Sequence, residues 1–250
     1  MEDLITEDTL FDGDLIILQN NSGYRFSVDS VLLAHFVKVR GKDKILDLGC
    51  GCGVIAMIIL YRHGAVVQEV SGIEIQPSLV KLARLNYAGN NFGQYGDIRQ
   101  GDVKTILQLI ASESYDKIVC NPPFYTSTSG RMNKNNEANI ARHQVAGTLR
   151  DFLTASALAV KNRGEVSIIY PAKYMAECII TGHEVNLEAK RIQLIYSYPH
   201  EQKSAKLVLI QYIKNGGRGT ENLIPFYVYS KKNGSFSHKM QNLYKGRANR

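Results

Sequence analysis

Short apolar runs alternate along the chain with longer stretches in which apolar residues recur every three or four positions. This double rhythm predicts a parallel sheet with helices on both faces. Lys44–Leu48 reads as a strand that enters a run of glycines, and residues 54–62 read as the helix that follows. Residues 70–75 form a second strand; Pro77 then opens a helix with Leu79, Leu82, Ala83 and Leu85 on one side. Ile98–Gln100 predicts a short third strand, with a helix over 103–111 after it. Residues 117–120 are the fourth strand and 166–170 the fifth, with a helix at 149–160 between them. A helix over 173–188 leads to strands at 192–196 and 207–213. Only about ten residues and no helix separate that last pair. Parallel neighbours need a longer crossover, so these two strands are expected to be antiparallel.

Ahead of the sheet, residues 10–19 and 24–27 read as a hairpin turning through Asn20, Asn21, Ser22 and Gly23. Asp29 then reads as the cap of a helix through Val31, Leu32, Leu33 and Phe36. One stretch resembles a linker: residues 126–139, polar, with four Asn, two Ser and a Gly. Loops of that length in compact domains act as lids or binding loops, or are disordered.

Composition narrows the class. Apolar residues make up 44% of the 250, enough for a sizeable core, and no apolar run reaches the ~18 residues of a membrane span. Residues 1–14 carry six acids and no Lys or Arg, the reverse of a signal peptide, so a cytoplasmic protein is expected. Cys50 and Cys52 are spaced C-x-C with no second pair of ligands, which favours buried reduced thiols over a metal pair; no metal is expected. The net charge of +7 is unevenly placed: residues 201–250 hold ten Lys or Arg against two Glu. Such a patch suits a polyanion such as RNA, or serves only as a solvated surface.

The glycines carry the first chemistry. Ile45-Leu46-Asp47-Leu48-Gly49-Cys50-Gly51-Cys52-Gly53 is a strand, a glycine loop and a helix start. Glycine there permits close approach of a ligand to the backbone. A P-loop is excluded because no Gly-Lys-Ser/Thr follows. A dinucleotide site wants G-x-G-x-x-G, whereas the spacing here is G-x-G-x-G; the third candidate is S-adenosylmethionine (AdoMet), which has no phosphate to cradle. Glu74, ending the second strand, can accept hydrogen bonds from ribose hydroxyls of either nucleotide. Asp102, after the third, is placed to read an adenine amine or to cap the next helix. With Asp47, Ile75 and Val103 these residues outline the expected cofactor pocket.

The fourth strand ends in Asn121-Pro122-Pro123-Phe124. This resembles the Asn/Asp-Pro-Pro-Tyr/Phe motif of class I AdoMet methyltransferases that modify amines on sp² carbons, and it implies their Rossmann-like fold: a seven-stranded, mostly parallel sheet with an antiparallel last strand. The lone pair of such an amine is delocalised, so two acceptors on its N–H bonds favour the pyramidal, electron-rich form: the Asn121 side-chain oxygen and the Pro122 carbonyl. Pro122 and Pro123 stiffen the segment, and Phe124 can stack on a planar substrate. Asn121 is expected to touch the cofactor as well.

The segment Gly23-Tyr24-Arg25-Phe26-Ser27-Val28-Asp29-Ser30-Val31-Leu32-Leu33 is similar to the start of the bacterial tRNA(Val) adenine-37 N6-methyltransferase family. The likeness continues through Asn121 to Phe124, through Ala141-Arg142-His143, and into Pro225-Phe226-Tyr227-Val228-Tyr229 and Asn233-Gly234-Ser235-Phe236. It implies that Phe26 and Asp29 lie near AdoMet, with S-adenosylhomocysteine as product, and that Arg142 and His143 lie near the incoming nucleotide. Gln144 departs from the family, which often has an acid there. The implied division is 1–40, a hairpin and helix packed on the catalytic domain; 41–215, the methyltransferase; and 216–250, a basic extension. Methyl transfer to adenine N6 in a tRNA is the expected reaction, with tRNA or another structured RNA as partner and no membrane. Ribosomal RNA and protein glutamine remain as substrates, as does a non-catalytic RNA-binding protein that retains AdoMet. The short stretch before the glycine loop, about 40 residues, argues against the helical recognition domain of glutamine methyltransferases.

Overall fold

A computed structural model describes residues 5–21, 26–124, 147–200 and 204–246. The chain begins with a hairpin of β1 (Ile5–Leu10) and β2 (Leu15–Asn20), Leu10 opposite Leu15. This corrects the expected continuous strand over 10–19. The reversal comes at Phe11, Asp12 and Gly13, with φ of 56°, 58° and 96°. Asp-Gly favours that left-handed turn, but the apolar Phe11 at its head disguises it. Phe11 is buried with its ring stacked 4.3 Å from that of Tyr61. Tyr24 and the end of the expected turn lie outside the described residues.

Helix α1 (Val28–Phe36) is capped by Ser27, whose hydroxyl accepts from the Asp29 amide. Asp29 is therefore not the cap. It lies inside the first turn, where an acid faces the positive end of the helix dipole. There follow β3 (Lys44–Leu48), α2 (Val54–His63), β4 (Glu69–Glu74), α3 (Pro77–Gly89), β5 (Ile98–Gln100) and β6 (Tyr115–Cys120). After the undescribed residues come α4 (Leu149–Ala159), β7 (Val160–Pro171), α5 (Met175–Glu184), β8 (Leu187–Tyr196) and β9 (Leu207–Lys214). The C-terminal segment adds β10 (Glu221–Asn222), β11 (Phe226–Tyr227) and α6 (His238–Tyr244).

The sheet runs β8-β9-β7-β6-β3-β4-β5, with β9 antiparallel to both its neighbours and all other pairs in that series parallel. The antiparallel last strand is thus as expected, but the count is nine, because β10 and β11 pair alongside β8. Two-residue strands leave no period in the sequence to read. Both faces are covered, so apolar residues of the inner strands point to either side rather than alternating with polar ones. Ile45 and Val119 face α1, α2 and α3; Leu46, Leu48, Ile118 and Cys120 face α4 and α5.

Four other expectations are corrected. The helix over 173–188 ends at Glu184, because Asn186 adopts φ 62° and turns the chain into β8. β8 starts five residues before the expected 192 because a register shift between Ala189 and Arg191 breaks its alternation. The segment after Asp102 is a kinked 3-10 helix, Val103–Gln108, rather than a helix over 103–111. On α3, Leu79, Leu82 and Ala83 are buried as expected, but Leu85 is 42% exposed and Asn86 and Tyr87 take the inner face instead.

Candidate active site

The glycine loop, Glu74, Asp102 and Asn121 all follow the carboxyl ends of adjacent parallel strands, the edge where open α/β sheets bind ligands. Gly49, Gly51 and Gly53 all have positive φ (68°, 58°, 88°), which only glycine adopts without strain. A Cβ on Gly49 would also lie 2.9 Å from the Phe152 ring. Four of the loop's amides are already engaged. Those of Gly49 and Cys50 donate to the Ile73 carbonyl at 2.8 and 3.1 Å, that of Gly53 to the Cys50 carbonyl at 2.8 Å, and that of Gly51 to Glu74 Oε2 at 3.0 Å. A pyrophosphate cradle needs free amides, so the dinucleotide reading left open by the sequence loses its main contact.

The charges point the same way. Asp47 is fully buried, and neither of its carboxyl oxygens closes a hydrogen bond among the described residues. Burial pushes its pKa up to about 8; the Ala56 backbone amide eases the shift and nearby Glu74 adds to it. Glu74 is also raised by burial, against the backbone amides of Gln76, Gly51 and Ile75. Its Oε1 accepts from the Gln76 amide at 2.9 Å, so each oxygen holds one backbone donor and keeps a lone pair for a ribose hydroxyl. Two buried acids beside a glycine loop ionise more readily next to a cation and less readily next to a phosphate, so the pair favours a cationic ligand. The residues therefore fit AdoMet, whose sulfonium and ammonium are positive. Cys50 and Cys52 are buried thiols; burial raises Cys50 well above its ordinary value and Cys52 to about 12.

At the rim, Asp102 caps the following turn, its Oδ1 accepting from the Lys104 amide at 2.9 Å and its Oδ2 lying 3.3 Å from Lys104 Nζ; the cap leaves acceptor capacity on the carboxylate. Val103 is buried beneath it, and Ile75 is half-buried between Glu74 and Gln76. Phe26 packs against the core, and burial raises the Asp29 carboxyl, partly offset by the Ser27 hydroxyl.

Asn121, Pro122, Pro123 and Phe124 leave β6 one strand from the glycine loop, since Leu48 pairs with Cys120. Pro122 is buried, and the half-buried Asn121 side chain makes no hydrogen bond among the described residues. Phe124 meets Tyr170 edge to face, ring centroids 6.1 Å apart and planes at 82°. Arg142, His143 and the loop over 126–139 lie outside the described residues.

Residues 22–183, more than half of the chain, match the family described as "Methyltransferase small domain". The chain belongs to that methyltransferase family. Its curated relatives include tRNA1(Val) (adenine(37)-N6)-methyltransferases. That of Trichodesmium erythraeum is 28% identical over 157 residues, 63% of this chain and 64% of the relative. That of Porphyromonas gingivalis is 26% identical over 190 residues, 74% of this chain and 73% of the relative. The match to the first thus spans less than two thirds of that relative's length. Among solved structures, a predicted O-methyltransferase from Agrobacterium tumefaciens superposes with TM-score 0.69 at 20% identity, covering 88% of this chain and 97% of that one. P. horikoshii TYW2 in complex with MeSAdo gives 0.57 at 15% identity, covering 86% and 73%. The fold is that of class I methyltransferases, whose methyl donor is AdoMet.

Two polar residues without a local signal brace the first hairpin in this methyltransferase, and one of them also reaches the glycine loop. Asn86 on α3 is buried; its Oδ1 accepts from the Leu18 amide at 2.7 Å, and its Nδ2 donates to the carbonyls of Leu18 (3.0 Å) and Cys52 (2.9 Å). Asn90, one turn on, bonds the Ile16 amide and carbonyl in the same way at 3.0 and 2.7 Å. Four helical residues rise about 6 Å and two strand residues about 6.6 Å, so the two asparagines replace a missing strand partner. Gln19 holds the Phe26 amide at 2.9 Å through its side-chain oxygen. The signal in the sequence was an Asn-x-x-x-Asn spacing on a helix, which has meaning only once β2 is known to lie beside it.

Proposed function

We propose that this chain transfers a methyl group from AdoMet to the N6 amine of adenine in RNA, specifically in a tRNA. One observation carries the proposal: the Asn121 side chain, free of partners among the described residues, stands on a proline-stiffened segment one strand from the glycine loop. When bound, AdoMet supplies an electrophilic methyl on a sulfonium. Asp47 and Glu74 would hold the positively charged donor, which would draw their carboxyls into the ionised form, and the glycines keep side chains off the loop. The Asn121 oxygen and Pro122 carbonyl accept the two N–H bonds of the substrate amine, so its lone pair localises toward the methyl. The edge-on contact with Tyr170 steadies Phe124. Stacking a base on such a ring contributes roughly 1–3 kcal/mol, and an adenine has to leave its own stack to reach it. No group of shifted pKa has to remove the proton, because the amine becomes strongly acidic only once methylated.

The names of the relatives support tRNA, as does the basic surplus after residue 200. In this reading 41–215 carries the transfer machinery, with 1–40 and 216–250 shaping the substrate side; Phe26, Asp29, Asp102, Arg142 and His143 keep their proposed cofactor and nucleotide roles. No helix among the described residues is long and apolar enough to cross a membrane, and a tRNA client would be met in the cytoplasm. In the Asn121→Ala variant AdoMet affinity should survive while methyl transfer to tRNA falls at least a hundredfold. Unchanged transfer would remove Asn121 from the mechanism. Nucleoside mass spectrometry of tRNA from cells with and without the gene should show N6-methyladenosine only with it; equal levels would defeat the tRNA assignment.

A further inference from the structure

After Glu221 the chain carries six Lys or Arg and no Asp or Glu. Part of this segment rises from the catalytic edge of the sheet. β11 pairs parallel with the end of β8, Phe226 opposite Ile195 and Tyr227 opposite Tyr196. The amide of Tyr229 then donates to the Ser197 carbonyl at 2.7 Å, beyond the last residue of β8. β8 runs parallel to β6 through the antiparallel β9, so Tyr229 emerges on the side where Asn121 leaves β6. The register agrees: Ile195 pairs with Leu207, Leu207 with Pro171, and Pro171 lies three residues past Ile168, the partner of Cys120. Four strand spacings separate β11 from β6, about 19 Å.

At that position the chain makes a tight hairpin. Tyr229 and Phe236 form an antiparallel bridge, the Ser230 amide donates to the Ser235 carbonyl at 3.0 Å, and the Gly234 amide closes the tip on the Lys231 carbonyl at 3.0 Å. Asn233, at φ 55°, completes the reversal. Lys231 and Lys232 sit exposed at the tip with no ion pair among the described residues. Three rings stand behind them: Tyr244 stacks on Phe236 at 5.6 Å and 10°, and Phe236 meets Tyr229 at 5.5 Å and 31°. Tyr229, the outer ring, is 39% exposed. Met240, fully buried below, anchors the assembly to the core.

We infer that this Tyr229–Phe236 hairpin is an RNA-binding finger: Lys231 and Lys232 contact backbone phosphates, and Tyr229 offers its face to an unpaired base near the one being modified. The inference rests on the RNA reading above. The combination favours single-stranded nucleic acid, since aromatic faces take bases of any sequence and lysines neutralise phosphates. A solvated charge cluster has no need of a three-ring stack ending at its base.

The experiment compares the 250-residue chain with its Lys231→Ala/Lys232→Ala double variant and with Tyr229→Leu. Binding to a fluorescent RNA stem–loop is followed by anisotropy across a salt series, and AdoMet affinity is measured as a control on folding. The double variant should bind the RNA about tenfold more weakly. The magnitude of its log–log salt slope should fall by about 1.4–1.8, the loss of two phosphate contacts. Tyr229→Leu should weaken binding about fivefold with the slope unchanged. Both variants should bind AdoMet as the parent does. If the parent binds RNA with steep salt dependence and the double variant matches it in slope and affinity, the finger is overturned while the RNA reading stands. If the parent shows no salt-dependent RNA binding, both fall. Poly-glutamate competing as well as RNA of equal charge would mean general polyanion attraction and would also overturn the assignment.

Discussion

Asp47 is buried at high cost: neither carboxyl oxygen closes a well-formed hydrogen bond among the described residues, the Ala56 amide only partly offsets the burial, and its pKa is pushed up to about 8. In the unfolded chain the same carboxyl titrates near 3.8. Between those two values the folded state holds a proton that the unfolded state has lost, so stability falls as pH rises through this window. Asp47→Asn should therefore raise the melting temperature of the ligand-free protein at pH 7.5 by several degrees and flatten its decline between pH 5 and 8. It should at the same time weaken AdoMet binding at least tenfold. A variant no more stable than its parent would show that Asp47 has a partner in solution. For the parent, a bound cation restores the charged carboxylate. Calorimetry in buffers of different ionisation enthalpy should then detect release of a proton on AdoMet binding at pH 6.5, and none in the variant. Asp47, Glu74, the glycines and Asn121 could be named as candidates from the sequence because each lies at or just past the carboxyl end of a strand. Asp102 was legible only as a choice between two roles, and its cap geometry needed the coordinates of Lys104.

At the scale of elements, sequence reading succeeded where local chemistry ends a segment and failed where tertiary contacts do. Pro77 starts α3, and Thr148 with Asp151 forms the capping box that starts α4. β8 was read five residues short because the irregularity between Ala189 and Arg191 breaks the period from which a strand is recognised. The first hairpin was misplaced because its turn carries a buried Phe. The asparagine pair on α3 offers a test of how that hairpin serves the glycine loop. Asn86→Ala leaves the Leu18 amide and two carbonyls without partners and should cost about 2–3 kcal/mol. It should also weaken AdoMet binding several-fold, because the Cys52 carbonyl is released. Asn90→Ala removes a similar pair of bonds to Ile16 but touches no loop residue. It should destabilise less and leave AdoMet affinity unchanged. Equal effects of the two variants on AdoMet affinity would disprove a link through Asn86.

Across the whole molecule, the site and the antiparallel strand that closes the sheet's other side lie in different halves. The glycine loop, Glu74 and Asn121 come from β3, β4 and β6, whereas β9 arrives from near the C-terminus to separate β7 from β8. It exchanges seven residue pairs with β7 and eight with β8, and its Val208, Leu209 and Ile210 are buried. A chain ended after Lys206 should therefore lose cooperative thermal unfolding even though every proposed donor-binding residue is present. A sharp transition at the parent temperature would contradict that dependence. The same threading gives biosynthesis a definite order. Domains begin to fold as they leave the ribosome, N-terminal parts first, so β3, β4 and β6 can assemble while the message is still being read. β7 and β8 must then wait with unpaired edges until β9 has emerged. Exposed edges of that kind invite association with other chains. The interval before β9 emerges is thus when a nascent copy most needs a chaperone.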